Sequence, residues 1–378
     1  MDFAAPAVER WARELRGVDV VVNAVGIIRA SAAQSFESLH TRGPISLFAA
    51  ASAAGVRRVI QISALGAEAG AASAYHRSKH EADRTLMGSP LDWAVVQPSL
   101  VYGPGGSSAA LFETLATLPV IPLPGGGLQQ VQPVHVDDLT EVIVRMAEDP
   151  ASLRQVLPVV GPRPLTLRDF LLELRGALGL GAARTLRIPA AWMRFAARIG
   201  EWIPGALLTR ETWGMLERGN TASAAQVTER LGRAPRAVAE FVEPGAAGAS
   251  RATIGLRWAA PLLRLTIAAI WLIAGLVSLA PHSVEQGLEL LRSIGIPPTL
   301  APLALFGAAS LDLAFGIWTL LPWRPRGLWS AQILLVVAYT LIITFYLPQL
   351  WLEPFGPVAK NLPILAVLLF LRQIESRP

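Results

Sequence analysis

Short β-branched runs alternate with longer mixed stretches through the first part of the chain. Residues 18–23 (Val-Asp-Val-Val-Val-Asn) read as a buried strand, because they are short, β-branched and soon followed by Gly26. Residues 59–63 and 93–97 read the same way, the latter ending at Pro98. Between them the pattern predicts a helix over residues 40–54, stopped by Gly55, and another over 75–87. Strands and helices alternating at this spacing predict βαβ units on a parallel sheet. A Gly-rich loop at Gly125 leads to a strand near Val131, and Asp137 or Asp138 is placed to cap the helix that follows. Residues 161–241 read as helical and Arg-rich. Within them Trp192, Phe195, Ala196, Ile199, Trp202 and Ile203 share one helical face, with Arg194, Arg198 and Glu201 off it. Packing into a core is the expected fate of that face, and a helix lying on lipid is the alternative.

The pattern then changes. Residues 243–250 form a small-residue linker, after which four apolar segments follow at 258–280, 299–321, 327–352 and 361–371. The first three are long enough to cross a hydrocarbon core of about 30 Å. The fourth spans only if its helix begins before Lys360 and ends past Arg372; otherwise it is re-entrant. The expected organisation is therefore an α/β domain at 1–241, a linker at 242–256 and a membrane domain at 257–378. The expected fold class is a partial Rossmann-type doubly wound parallel sheet followed by an all-α four-helix transmembrane bundle.

Composition sharpens this division. Only 16% of the residues are charged and 52% are hydrophobic, against about 25% charged in an average soluble domain, so part of the surface must face lipid. There is no cysteine, which excludes disulfides, thiolate metal sites, iron–sulfur clusters and a cysteine nucleophile. His40, His76, His80, His135 and His282 show no ligand spacing with a third partner, so no metal site is expected. The net charge of +5 comes from scattered Arg residues without a basic run. That pattern points to an anionic bilayer surface and away from nucleic acid.

The first residues carry neither a basic region nor an apolar core, so no signal peptide is read there. Basic residues flank the apolar segments unevenly. Arg251, Arg257 and Arg264 precede or open the first, Arg324 and Arg326 lie between the second and third, and Arg372 and Arg377 end the chain; the other side carries only Arg292 and Lys360. Both lines of reasoning place the N-terminal domain and the C-terminus in the cytoplasm, with the protein multi-pass in the cell inner membrane.

The sharpest chemical signal is Tyr75 with Lys79. On a helix these positions share a face, so the ammonium is expected beside the phenol, lowering its pKa towards the range useful for proton transfer. Ser63 stands twelve residues upstream at the carboxyl end of a strand, where open α/β sheets place their ligands.

These residues resemble the short-chain dehydrogenase/reductase superfamily in its extended or atypical branch, and most of all the group that includes an accessory subunit of mitochondrial complex I. The resemblance covers residues 2 to about 241. It rests on Asn23, Ala24, Val25 and Gly26 after the first strand, on Ser63, Tyr75 and Lys79, on the run from Pro98 to Pro104, and on His135 with Asp137 and Asp138. It implies NAD or NADP as cofactor, Tyr75 as general acid/base, Lys79 as its tuning and ribose-holding partner, and Ser63 orienting the substrate oxygen. It also implies that Asn23, Ala24, Val25 and Gly26 line the cofactor, that Pro98, Ser99, Leu100 and Val101 flank the nicotinamide, and that Asp2 and Phe3 contact adenine. Two departures stand out. His40 occupies the place of an Asn that the family often uses in proton relay. The Gly-x-x-Gly-x-x-Gly turn that holds the pyrophosphate is absent from the sequence, so this chain is expected to be an N-terminally truncated form that does not bind NAD(P) with useful affinity and is inactive as it stands, the activity belonging to the full-length form.

The membrane half resembles the DoxX-like family, through Leu311-Asp312-Leu313, Tyr339-Thr340 and the stretch 354–363. Asp312 amid apolar residues needs a partner, for which Lys360 and Arg264 are the candidates. The whole reads as a membrane-anchored NAD(P)-dependent oxidoreductase or epimerase acting on a lipophilic substrate or quinone. The alternative is a non-catalytic nucleotide-binding sensor or assembly module with a partner in a membrane complex.

Overall fold

The computed structural model describes residues 1–30, 34–149, 153–203, 206, 208–243, 245, 247–352 and 358–375. The chain divides into two compact units, Met1–Ile254 and Gly255–Pro378.

The first unit is built on a four-stranded, fully parallel sheet of strands Val20–Asn23, Arg58–Ile62, Asp92–Pro98 and Gln155–Val159, in that spatial order. Each apolar run found in the sequence supplies one of the first three strands. Alternation of side chains sends Val59, Trp93 and Val95 to one face and Ile60, Ala94 and Val96 to the other. Helices Val8–Glu14, Gly43–Ala54 and Ala74–Met87 cover the first face, with Trp11, Leu47, Phe48 and Leu86 packed against it. Helices Val136–Glu148 and Ala225–Leu231 cover the second, through Val142, Met146 and Val227. Gly55 ends its helix in the left-handed conformation (φ 77°) that the sequence position anticipated. Strand Val20–Asn23 forms one edge of the sheet. Buried Arg58 donates to the carbonyls of Met146, Ala147 and Asp149 and so closes the carboxyl end of the Val136–Glu148 helix.

Two local expectations are corrected. His135, rather than Asp137 or Asp138, caps the Val136–Glu148 helix, its ring accepting the Asp137 N–H. Fully buried Asp138 instead binds the guanidinium groups of Arg233 and Arg236, each at 2.8 Å. The second correction concerns helix Ala190–Gly200. It packs through its small residues, Ala197 and Gly200, which are buried, while Trp192, Phe195, Ile199, Trp202 and Ile203 are exposed. A Cβ on Gly200 would fall 1.9 Å from the Leu208 carbonyl oxygen, so this close approach requires glycine. The large apolar face therefore points away from the core.

In the second unit three helices are long and apolar enough, among the described residues, to cross a membrane: Arg251–Ser278, Ala301–Leu320 and Leu328–Tyr346. The first belongs to a continuous helix that begins at Ala247, within the stretch read as linker. The fourth apolar segment forms helix Asn361–Glu375. Among the described residues this helix has 15, which at 1.5 Å each come to less than a ~30 Å core, and it starts after Lys360. The stretch between the first two spans forms the short helix Pro281–Ser293. Small residues let the first two spans approach closely: a Cβ on Gly316 would meet Leu272 at 2.6 Å, and one on Gly275 would meet Leu313 at 2.7 Å. Buried Gln332 accepts from Trp271 Nε1 and donates to Thr319 Oγ1, both at 2.9 Å, joining all three spans. Arg264 and Arg324 both bind the carboxylate of Glu375.

Asp312 is buried in the second span, and its Oδ1 has no hydrogen-bond partner among the described residues. Arg264, expected to pair with it, is engaged by Glu375, and Lys360 is exposed. Residues 354–357 of the DoxX-like stretch lie outside the described residues.

Candidate active site

Helix Ala74–Met87 sets the site. Ser73 caps it, accepting the His76 N–H at 3.1 Å, and the Tyr75 N–H is taken by the Glu211 carboxylate at 3.0 Å. Tyr75, Lys79 and Asp83 follow at four-residue steps and share one face. That face lies over the carboxyl ends of strands Val20–Asn23 and Arg58–Ile62. The Lys79 ammonium donates to the carbonyls of Ile62 (2.9 Å) and Val25 (3.2 Å), tying the helix to the end of the second strand and to the loop after the first.

The loop after the first strand is ordered from its own residues. Asn23 is buried; its Oδ1 accepts the Val25 N–H at 3.2 Å and its Nδ2 donates to Gln61 at 2.7 Å. His40 sits in a π-helical segment, Glu37–Arg42, a geometry often found at functional positions. Its Nε2 accepts the Ile27 N–H at 2.9 Å, which leaves the ring proton on Nδ1, 3.0 Å from Ser78 Oγ. Burial, with the Lys79 charge adding to it, depresses the His40 pKa to about 3, so the ring is a neutral strut between loop and helix. The Tyr75 ring packs edge-on against His40 and His76.

Lys79 and Asp83 are both buried and near each other. Burial lowers the Lys79 pKa to about 8, against the pull of Asp83. Burial raises that of Asp83 to about 6, against the Ser63 hydrogen bond and the Lys79 charge. The Ser63 hydroxyl donates to Asp83 Oδ2. Tyr75 is pushed up to about 12, by burial first and then by the Asp83 charge. The sequence expectation was the reverse. The ammonium is turned to two backbone carbonyls, and the acidic residue one turn further along opposes its influence on the phenol.

The structure thus gathers Asn23, Val25, Gly26, Tyr75, Lys79 and, through Asp83, Ser63 in one region at the carboxyl edge of the sheet; Ala24 stands exposed in the same loop. The other residues expected at the site take no part in these side-chain hydrogen bonds. Asp2 accepts the Ala4 N–H, and Phe3 packs on Trp11 and beside Gly43. Pro98 ends its strand, and Ser99 donates to the Gln132 carbonyl at 2.5 Å. Leu100 and Val101 pack against two different core clusters. Sequence reasoning missed Asp83 and Glu211 altogether. The four-step series from Tyr75 to Asp83 was the available signal for the first.

The cluster fits the nicotinamide–ribose end of a dinucleotide. Gly26 has no side chain where a Cβ would lie 3.1 Å from Lys79 Nζ and 3.4 Å from His40 Nε2, so the loop stays narrow beside the ammonium. Lys79 spends two donors on carbonyls, and an ammonium has three.

Residues 2–150 match the NAD(P)H-binding family and residues 268–369 the DoxX-like family. The chain is 26% identical over 239 residues to the ceramide reductase of Caulobacter vibrioides, an alignment covering 54% of this chain and 74% of that protein. It is 27% identical over 145 residues to the mitochondrial NADH dehydrogenase (ubiquinone) 1 alpha subcomplex subunit 9 of Mus musculus, covering 38% of each. Among solved structures, a nucleoside-diphosphate-sugar epimerase of Staphylococcus aureus superposes with a TM-score of 0.52 at 18% identity, covering 64% of this chain and 81% of that one. The Escherichia coli NADPH-dependent quinone oxidoreductase superposes with a TM-score of 0.51 at 16% identity, covering 64% and 80%. At these identities the superpositions establish the fold. The chain joins an N-terminal NAD(P)-binding domain of Rossmann type to a C-terminal DoxX-like membrane domain.

Proposed function

We propose that the protein is a membrane-anchored NAD(P)-dependent oxidoreductase that interconverts a carbonyl and an alcohol on a lipophilic substrate. The observation that carries this reading is the placement of Lys79. Its ammonium is bonded to the end of one parallel strand and to the loop leaving its neighbour, on the same helical face as Tyr75, where open α/β sheets bind their ligands. When bound, the nicotinamide supplies or accepts the hydride. Tyr75 is held protonated by burial, the form that delivers a proton to a carbonyl oxygen as hydride reaches its carbon. Lys79 keeps a donor for a ribose hydroxyl and lends positive charge as the phenol loses its proton. Ser63 orients the substrate oxygen once its hydroxyl turns from Asp83. The lipophilic substrate class is supported by the membrane domain on the same chain and by the ceramide reductase relative.

On this reading the N-terminal unit and the C-terminus face the cytoplasm and the spans lie in the inner membrane. Supporting this, Arg264, Arg324 and Glu375 meet at one end of the helices, the end enriched in arginine.

Two observations favour a second reading, a nucleotide-binding module without turnover. The Ser63 hydroxyl is committed to Asp83, and Tyr75 lies well above the working range of a general base. Titration calorimetry of the full chain in nanodiscs with NADH and NADPH, followed by turnover with a long-chain ketone, decides between the two. Binding with turnover supports the oxidoreductase, binding without turnover the module, and absence of binding defeats both.

A further inference from the structure

The exposed apolar face of the Ala190–Gly200 helix and the turn after it has a position that none of the chemistry above explains. Trp192, Phe195, Ile199, Trp202 and Ile203 are between 48% and 88% exposed, and the Trp192 and Phe195 rings meet edge to face at 6.3 Å. The helix rests on its small residues, so turning this face inward would require giving up the Gly200–Leu208 contact. Arg198 and Arg194, the latter paired with Glu217 at 3.5 Å, flank it, both exposed, and exposed Arg184 and Arg187 stand on strand Arg184–Ile188, which lies within the stretch read as helical. Large aromatics on one side with arginines beside them are the composition of helices that lie in a bilayer interface.

The same segment is fastened to the candidate active site. The Arg29 guanidinium donates to the carbonyls of Ile203 (3.1 Å) and Ala206 (2.6 Å), and Arg29 follows Gly26 by three residues. At the other end, Glu201 pairs with Arg210 at 2.7 Å. The helix Arg210 begins carries Glu211, which holds the Tyr75 N–H. The apolar face is thus bonded to both the Gly26 loop and the catalytic helix.

We infer that this face is seated in the headgroup region of an anionic bilayer, the membrane in which the apolar helices of the same chain insert, and that it sets the Tyr75 site at the lipid surface. Aromatic side chains enter the acyl boundary while the flanking arginines meet lipid phosphates. The inference rests on the oxidoreductase reading only for its second half: an amphiphilic substrate would reach Tyr75 from the leaflet without crossing water.

The chain has no cysteine, so single labels can be placed cleanly. Phe195→Cys and Ile199→Cys, carrying a fluorophore, are compared with Glu173→Cys on a different helix, in full-length protein in nanodiscs containing phosphatidylglycerol. Acyl-chain-brominated lipids should quench the first two and leave the third unchanged. Equal emission with and without bromine would overturn the seating, and so would labels shielded from water yet unquenched, which mark a protein partner. This arm needs no turnover. In a second arm, Trp192→Ser with Phe195→Ser should lower kcat/KM at least ten-fold for a bilayer-embedded ketone while leaving NADPH affinity and turnover of a short water-soluble ketone unchanged. Quenching with no wild-type turnover would keep the seating and reject the oxidoreductase reading. An equal loss on both ketones would overturn the delivery role.

Discussion

Ser63 donates its hydroxyl proton to the buried carboxylate of Asp83. This one bond links the strand end where substrate oxygen is expected to the far end of the Tyr75–Lys79 face. It makes Asp83, which no motif marks, the residue on which the electrostatics of the site turn.

The folded pKa of Asp83, about 6, lies above its ordinary 3.8. Between those values the folded state holds the proton more tightly than the unfolded chain. Stability from this group is therefore present below 3.8 and lost as pH rises through about 6. Asp83→Asn keeps an acceptor for Ser63 and removes the titration. Thermal unfolding of the full chain should show the wild type losing ground to Asp83→Asn across that window, by about 3 kcal/mol at the limit. A constant gap between the two would remove Asp83 from the account.

His40 carries the opposite sign. Its folded pKa, about 3, lies below the ordinary 6.5, so its contribution is present above 6.5 and lost as pH falls towards 3. His40→Ala strands the Ile27 N–H and loosens the Gly26 loop, and the loss of one such bond is worth about ten-fold in NADPH affinity. Calorimetry that returns the wild-type dissociation constant would show that the loop does not depend on the imidazole.

Much of this arrangement could be read from residue order. Three of the four strands of the sheet were legible as short β-branched runs, and the Tyr75–Lys79 face because helical spacing makes neighbours of them; the fourth strand, Gln155–Val159, was not read. Asp83 was not. An acid four residues after a lysine reads as a solvent-exposed pair, and only the packing against strand Arg58–Ile62 reveals that both are buried. The Ala190–Gly200 helix misled in the other direction. Its apolar face looks like a core face, and what turns it outward is the Gly200–Leu208 approach, a long-range contact with no local trace. The length of the last apolar helix was also hidden, since hydropathy alone does not mark where the helix starts.

Within the membrane unit, buried Gln332 is bonded to both neighbouring spans. Gln332→Leu leaves the Trp271 and Thr319 groups unpaired in an apolar setting. Unfolding in detergent should show a loss of about 1 kcal/mol, measured as a lower midpoint. An unchanged midpoint would mean that close packing at Gly275 and Gly316 alone holds the spans.

The shared Glu375 carboxylate requires Arg264, Arg324 and the end of the last helix to lie on one side. Cysteine labelling with a membrane-impermeant reagent on intact cells checks this: Ser283→Cys should react, and Arg326→Cys should react only after lysis. Labelling of Arg326→Cys in intact cells would reverse the proposed topology.

The central claim is that Tyr75 delivers a proton in a hydride transfer from a nicotinamide. Its most direct test is a single-turnover reaction of the full chain in nanodiscs with NADPH or NADH deuterated at the transferable position and a long-chain ketone in the bilayer. The account predicts deuterium on the carbinol carbon of the product, transfer slowed at least a hundred-fold by Tyr75→Phe, and nucleotide affinity unchanged in that variant. Alcohol formed without deuterium, or transfer at full rate by Tyr75→Phe, would contradict it.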